Sequence, residues 1–228
     1  TVDNSFEWRL WHSVNYVNGG ITFLFGSILL FSYFASFIDY FNAAKISAWL
    51  YTIGSATFLF ADLTEWIHFT YSDCRFFSYS INFLVSVCGS FLYLVGSACF
   101  IPELNASDEG LVLFIYGSSF IVIGQLWKLS RSLNQDGLTI KECISEDFKG
   151  FMVDTFAGLG ALMYLIGSFF FQKSTEIPEY LNIGACIFSC GGLFFSISGF
   201  FIISRYFNHE KVDSGKYYSA ESQGIITN

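Results

Sequence analysis

The sequence predicts an all-α, polytopic membrane protein with six transmembrane helices arranged as three antiparallel hairpins. Hydrophobic residues make up 53% of the 228 positions, charged residues only 13%, and there are two prolines. Apolar runs of 18 residues or more recur along the chain, which is the length that a helix needs to cross a bilayer core of about 30 Å. Short polar links separate these runs, so that neighbouring helices in the sequence should pack antiparallel.

The transmembrane domain is expected to occupy residues 14–207. The predicted spans are 14–38, 46–67, 77–101, 110–128, 151–171 and 181–206. They pair into hairpins at about 14–70, 75–131 and 150–207.

Three segments lie outside these hairpins. Residues 1–13 contain aromatic side chains among polar ones, which is typical of an interfacial segment. Thr139 and Glu142 have the spacing of a capping box, which predicts an amphipathic cytoplasmic helix at about 139–149. Residues 208–228 lose apolar periodicity, and we expect a disordered cytoplasmic tail.

Each span contains two small residues seven positions apart. The pairs are Gly19 and Gly26, Gly54 and Ala61, Gly89 and Gly96, Gly117 and Gly124, Gly160 and Gly167, and Gly192 and Gly199. Seven residues are nearly two helical turns, so both small residues lie on one stripe of the helix. In lipid, such stripes allow two backbones to approach closely, and they therefore predict helix-packing seams.

The distribution of basic residues predicts the orientation. Most of the 11 Lys and Arg residues lie in the terminal segments and in the links between spans two and three and between spans four and five. The positive-inside rule then places both termini on the cytoplasmic side. The opposite side receives the link with the sequon Asn105-Ala106-Ser107, a candidate glycosylation site.

Several function classes are disfavoured. The net charge of −8 argues against nucleic-acid binding, which needs clustered cations. His12, His68 and His209 are dispersed, and Cys186 and Cys190 lack a nearby histidine, so we expect no metal and no cofactor. The links leave no room for a soluble catalytic domain, and a non-enzymatic protein is expected.

Ionisable residues near the inner end of span two form the one candidate site. Asp62, Glu65 and His68 follow one another at three-residue steps, and Gln125 and Asp154 should lie at the same membrane face. Charge inside a membrane is costly unless it is paired or hydrated, so this group is a candidate proton or cation site.

A structural interpretation of the same residues is also open. Trp66 would mark the headgroup layer and leave Asp62 one turn deeper, paired with Arg75 or Lys128. We prefer this interpretation because tryptophan belts mark the interface.

The repeated unit resembles a known family. The motif occurs once in the first helix of each hairpin, as Phe23-Leu24-Phe25-Gly26-Ser27, Tyr93-Leu94-Val95-Gly96-Ser97 and Tyr164-Leu165-Ile166-Gly167-Ser168. This pattern is similar to that of the YrhK-like membrane proteins, which are small and have two spans. The resemblance implies three tandem hairpins and no catalytic residues.

We therefore expect a structural or accessory protein of the membrane. Its partners would be the lipid bilayer and either further subunits of a larger membrane complex or copies of itself, packed through the glycine seams. The alternative is a small transporter or channel for protons or cations, with the acidic group at its inner mouth. The repeated aromatic runs leave a third interpretation, which is binding of a hydrophobic ligand, lipid or pigment.

Overall fold

The computed structural model describes residues 6–69, 76–135 and 139–223. Long helices dominate this part of the chain. The α-helices are α1 (Phe6–Leu29), α2 (Ser32–Ile38), α3 (Tyr40–Phe69), α4 (Phe76–Cys99), α5 (Ser107–Gln135), α6 (Ile140–Glu146), α7 (Phe148–Lys173) and α8 (Glu179–Gln223), with a 3₁₀ turn at Pro102–Leu104.

Five of these helices are long and apolar enough to cross a membrane. The stretches are Tyr40–Ile67, Ile81–Cys99, Ser107–Lys128, Phe148–Lys173 and Glu179–Tyr206. A sixth span is obtained if α1 and α2 are counted together, although they meet at 83°. The architecture is that expected of a multi-pass integral membrane protein.

The first predicted span, 14–38, is not one continuous helix. The helix ends at Leu29 in a tight turn, where the Leu30 amide donates to the Ser27 carbonyl over 3.1 Å. The amide and hydroxyl of Ser32 both donate to the Asn182 side chain on α8, each over 3.0 Å, and so fix the start of α2. These tertiary contacts, to a residue 150 positions away, are invisible to the hydrophobic pattern of the span.

Two further boundaries differ from the predictions. The interfacial segment 1–13 is not separate, because α1 begins at Phe6 and buries His12 and Ser13. The tail 208–228 is not wholly disordered, because α8 continues to Gln223. Residues 179–223 contain no proline, which is the residue that would break or kink the helix. The capping box is confirmed, since the Thr139 amide donates to the Glu142 carboxylate over 2.7 Å and the Glu142 amide to the Thr139 hydroxyl over 3.3 Å.

The six long helices form a closed ring. Helix α1 packs on α3, α3 on α4, α4 on α5, α5 on α7, α7 on α8, and α8 returns to α1. Aromatic side chains fill the centre of the ring and are almost wholly buried. We call the following set the aromatic core: Phe23, Tyr51, Phe58, Tyr93, Phe114, Tyr164, Phe188 and Phe195.

Glycines make room for these rings. A Cβ atom on Gly191 of α8 would lie 2.7 Å from the Tyr164 ring, and one on Gly117 of α5 would lie 2.9 Å from the Tyr93 ring. The Phe23 ring fills the equivalent place at Gly54 of α3. Since atoms do not approach so closely, a side chain at these positions would displace the core.

The backbones of consecutive long helices also come close. A Cβ atom on Gly89 would lie 3.1 Å from the Gly117 carbonyl oxygen, and one on Gly160 would lie 3.1 Å from the Gly191 carbonyl oxygen. On α8, Gly191 and Gly184 therefore face α7, since a Cβ atom on Gly184 would lie 3.1 Å from the Phe171 ring. The predicted Gly124 has room, because its nearest neighbouring atom would be 3.4 Å away.

Gly192 and Gly199 serve a different interface. A Cβ atom on Gly192 would lie 2.6 Å from the Leu24 backbone of α1, and one on Gly199 would lie 2.9 Å from the Val17 Cα atom. On the α1 side of this interface, a Cβ atom on Gly20 would lie 2.5 Å from the Ser196 backbone of α8. The first and last long helices thus close the ring by direct backbone contact.

At the end of the ring that holds the α4–α5 link, Lys45 of α3 pairs with Glu103. The Lys45 ammonium holds the pKa of the Glu103 carboxyl below its usual range. Asn105 follows in the left-handed conformation, with φ 49°, and its side chain is exposed. Its glycosylation stays a prediction.

Candidate functional site

A polar cavity of about 630 Å³ lies inside the ring, in the half that contains the amino-terminal end of α1. All six long helices contribute to its wall. The lining includes Phe58 and Phe195 of the aromatic core, and also Asp147 and Arg205. The cavity therefore borders the aromatic core.

Asp62 projects from α3 into this cavity. It lies eight residues after Gly54, on the same helix, and its carboxylate accepts a hydrogen bond from the Ser90 hydroxyl of α4. The predicted pairing with Lys128 is wrong, because Lys128 Nζ lies 3.0 Å from Asp154 Oδ1 instead. The other predicted partner, Arg75, lies outside the described residues.

Ion pairs between helices surround Asp62. The Lys128–Asp154 pair joins α5 to α7, and an Arg205–Asp147 pair at 2.5 Å joins α8 to the start of α7. On α1, His12 Nε2 lies 3.8 Å from the Glu65 carboxylate, and its Nδ1 lies 3.2 Å from the Tyr206 hydroxyl. Opposite charges at these distances offset much of the cost of placing ions within a helix bundle.

Two amide side chains in the wall remain unsatisfied. Asn82 of α4 is only 4% exposed, and its Oδ1 atom is buried without a hydrogen-bond partner among the described residues. The same holds for Oε1 of Gln125 on α5. Both residues line the cavity. A buried polar atom without a partner costs about 1–3 kcal/mol, so these two acceptors need an explanation.

The structure brings together four of the five residues that the sequence singled out. Asp62, Glu65, Gln125 and Asp154 line the one cavity. His68 lies in α3, but its side chain falls outside the described part of the structure. Whether these groups bind an ion or a proton stays a prediction.

Sequence reasoning missed other polar residues of the wall, among them His12, Ser90 and Asn82. His12 was assigned to an interfacial segment, and Ser90 and Asn82 of α4 were not included in the site. Asn82, Ser86 and Ser90 follow one another at four-residue steps, so they share one face of α4. This polar stripe within an apolar span was the signal that could have identified them.

One of the comparisons with known proteins found a matching family. Residues 7–68 match the family described as YrhK-like protein, and this stretch runs from the start of α1 almost to the end of α3. Searches of curated proteins and of solved structures found no match. The match confirms the resemblance for the amino-terminal part of the chain, including His12, Asp62 and Glu65: residues 7–68 are similar to YrhK-like proteins.

Proposed function

We propose that this integral membrane protein is a small transporter whose solute or ion binds in the polar cavity. The observation that carries the proposal is the cavity itself, a pocket of about 630 Å³ with charged residues of several helices in its wall, inside a ring with an apolar outer surface. Ionisable groups within membrane spans are costly, and in known proteins they mark the paths of ions and substrates.

The aromatic core favours a transporter over an open channel. The aromatic core fills the other half of the ring, and Phe23, Tyr93 and Tyr164 in it are fully buried. A continuous pore would need these rings to move. A transporter opens its site to one side at a time, and a cavity in one half of the ring with a filled aromatic half beyond it would suit one such state.

The orientation belongs to the same proposal. The cavity lies in the half of the ring that contains the start of α1 and Arg205 of α8, and the bias of Lys and Arg favours placing that end in the cytoplasm. We infer that the site faces the cytoplasm in this conformation.

The hairpin arrangement and its seams are also part of the proposal. The support is that the three consecutive pairs of long helices use equivalent contacts, with Gly54, Gly117 and Gly191 each beneath an aromatic ring of the preceding long helix. Because these glycines face other helices of the same chain, the seams serve folding rather than assembly with a partner.

No enzymatic activity is proposed for this protein. The second candidate function is that of a structural or accessory subunit. Its support is the outer surface, where large apolar side chains are exposed, such as Phe37 at 73% and Phe169 at 51%. Such a surface suits lipid and would also suit another membrane subunit.

Proteoliposomes distinguish the two candidates. Wild type, Asp62→Asn and the control Asp108→Asn, whose carboxylate is exposed at the opposite end of the ring, are compared for proton and monovalent-cation flux at two pH values. We expect flux in wild type and Asp108→Asn and its loss in Asp62→Asn with little loss of folded protein. Folded wild type without flux, which copurifies with a stoichiometric partner, would support the accessory role instead.

A further inference from the structure

We propose that α2 is an interfacial helix, which lies in the plane of the membrane with its apolar face immersed in lipid. The surface belongs to the end of the ring opposite the amino-terminal end of α1. The inference concerns an interaction with the bilayer and does not depend on the proposed transport.

The first argument is the direction of α2. Helix α1 contains 24 residues, and its length of about 36 Å is sufficient to cross a hydrocarbon core of about 30 Å. Helix α2 meets α1 at 83° and packs on α3. A helix nearly perpendicular to a membrane-crossing helix lies along the membrane surface, so α2 does not extend the first span.

The second argument is the chemistry of the sides of α2. Its large side chains lie on two adjoining stripes, at 67% and 73% exposure on one and 43% each on the other. We call the following set the apolar face of α2: Tyr33, Phe37, Phe34 and Ile38. Ser32 and Ser36 lie on the other side of the helix, and the buried Ala35 marks the side that packs on the ring. Hydroxyls on one side and aromatic rings on the other are typical of a helix at the boundary between water and lipid.

The third argument is the depth of α2. At the same end of the ring, the link between α7 and α8 exposes the charges of Lys173, Glu176 and Glu179, which belong in water or among headgroups. Asn182 accepts the hydrogen bonds from Ser32 and lies three residues after Glu179. Three helical residues are about 4.5 Å, so the start of α2 is held just inside this charged boundary. Interfacial helices insert their apolar faces to a comparable depth, about 5–10 Å.

The surrounding surface favours lipid over a second copy of the chain as the occupant. On α3, Ile46, Trp49 and Ile53 are 43%, 48% and 48% exposed and share one stripe of the helix. Phe25 of α1 is 55% exposed. Because α2 packs on α3 and follows α1, its apolar face belongs to a sector of the ring whose outer surface already suits lipid.

The first test measures the surroundings of single spin labels in lipid nanodiscs. Phe37→Cys and the matched control Ser36→Cys are introduced into a chain whose six native cysteines are replaced by alanine. Collisions with oxygen, which concentrates in lipid, are compared with collisions with a water-soluble nickel chelate. We expect oxygen to dominate at position 37 and the nickel chelate to dominate at position 36.

The second test keeps the native cysteines and adds one charge to either side of α2. Phe37→Asp places a carboxylate in lipid and should lower the melting temperature in nanodiscs by about 2–4 °C. Ser36→Asp places the same group on the hydroxyl side and should change it by less than about 1 °C.

Three results would overturn the inference. Dominant collisions with the nickel chelate at position 37 would place the apolar face in water. Spin–spin broadening at that position would mean that a second copy covers it. Equal melting temperatures for Phe37→Asp and Ser36→Asp would mean that the two sides of α2 do not differ in their contact with lipid.

Discussion

The two halves of the helix ring satisfy their polar groups in opposite ways. In the aromatic half, the Ser27 hydroxyl lies 2.8 Å from the Tyr51 hydroxyl and 3.2 Å from that of Tyr164, so these buried groups are paired within the chain. In the polar half, the side-chain oxygens of Asn82 and Gln125 are buried without a partner among the described residues. Both halves belong to the same six helices. The first half is thus paired within the chain, whereas the second contains two acceptors that lack a donor among the described residues.

The largest expected effect comes from breaking the aromatic half. Phe23 is fully buried and contacts the rings of Tyr51 and Tyr164 at centroid distances of 5.1 and 5.2 Å. Phe23→Ala should cost about 3–5 kcal/mol of stability because it leaves a cavity at the centre of the ring. Phe25, two residues further along α1, is 55% exposed and provides the control. Phe25→Ala should cost less than about 1 kcal/mol in detergent unfolding, and equal losses would contradict the assignment of the core.

The next effect concerns the contact that closes the ring. Gly192→Ala places a methyl group against the Leu24 backbone, which cannot move aside as a flexible side chain can. We expect a loss of about 1–3 kcal/mol. Gly124→Ala introduces the same group where the nearest atom is 3.4 Å away and should be neutral or slightly stabilising, since alanine favours the helix. A similar melting temperature for both variants would mean that α1 and α8 do not pack in this way.

The smallest effect should have opposite signs in the two halves. Ser27→Ala removes the hydroxyl that lies against those of Tyr51 and Tyr164 and should destabilise by about 0.5–1.5 kcal/mol. Asn82→Leu removes an unpaired buried acceptor and should stabilise the ligand-free protein by about 1 kcal/mol. Thermal unfolding without ligand compares the two variants. A loss of stability in Asn82→Leu would show that this amide already has a partner.

The sequence predicted much of the architecture, because hydrophobic length is a local property. The apolar runs located the long helices, and Thr139 with Glu142 predicted the start of α6 through contacts over three residues. The break after Leu29 could not be predicted, since it depends on Asn182 of the last long helix. Helical spacing showed that small residues share a stripe, but not which helix they face, and so the packing of Gly192 against α1 could not be predicted.

The candidate site was predictable in part for the same reason. Asp62, Glu65, Gln125 and Asp154 stood out because each is polar at the inner end of an apolar span. Which of them pair depends on how the helices rotate against one another, and a single sequence does not contain that information. Lys128 was therefore named, beside Arg75, as a possible partner of Asp62, although it pairs with Asp154 on α7.

The three helix pairs belong to one chain, and this has a consequence for the charge of the cavity. Asp62, Gln125 and Gly199 lie eight residues after Gly54, Gly117 and Gly191, so they occupy corresponding places in the three pairs. If three identical, separate copies formed such a ring, each carboxylate would occur three times around one pocket, and like charges so close together disfavour ionisation. A single chain also removes the entropic cost of bringing three copies together. It can therefore carry different residues at the three corresponding positions, here an acid, an amide and a glycine.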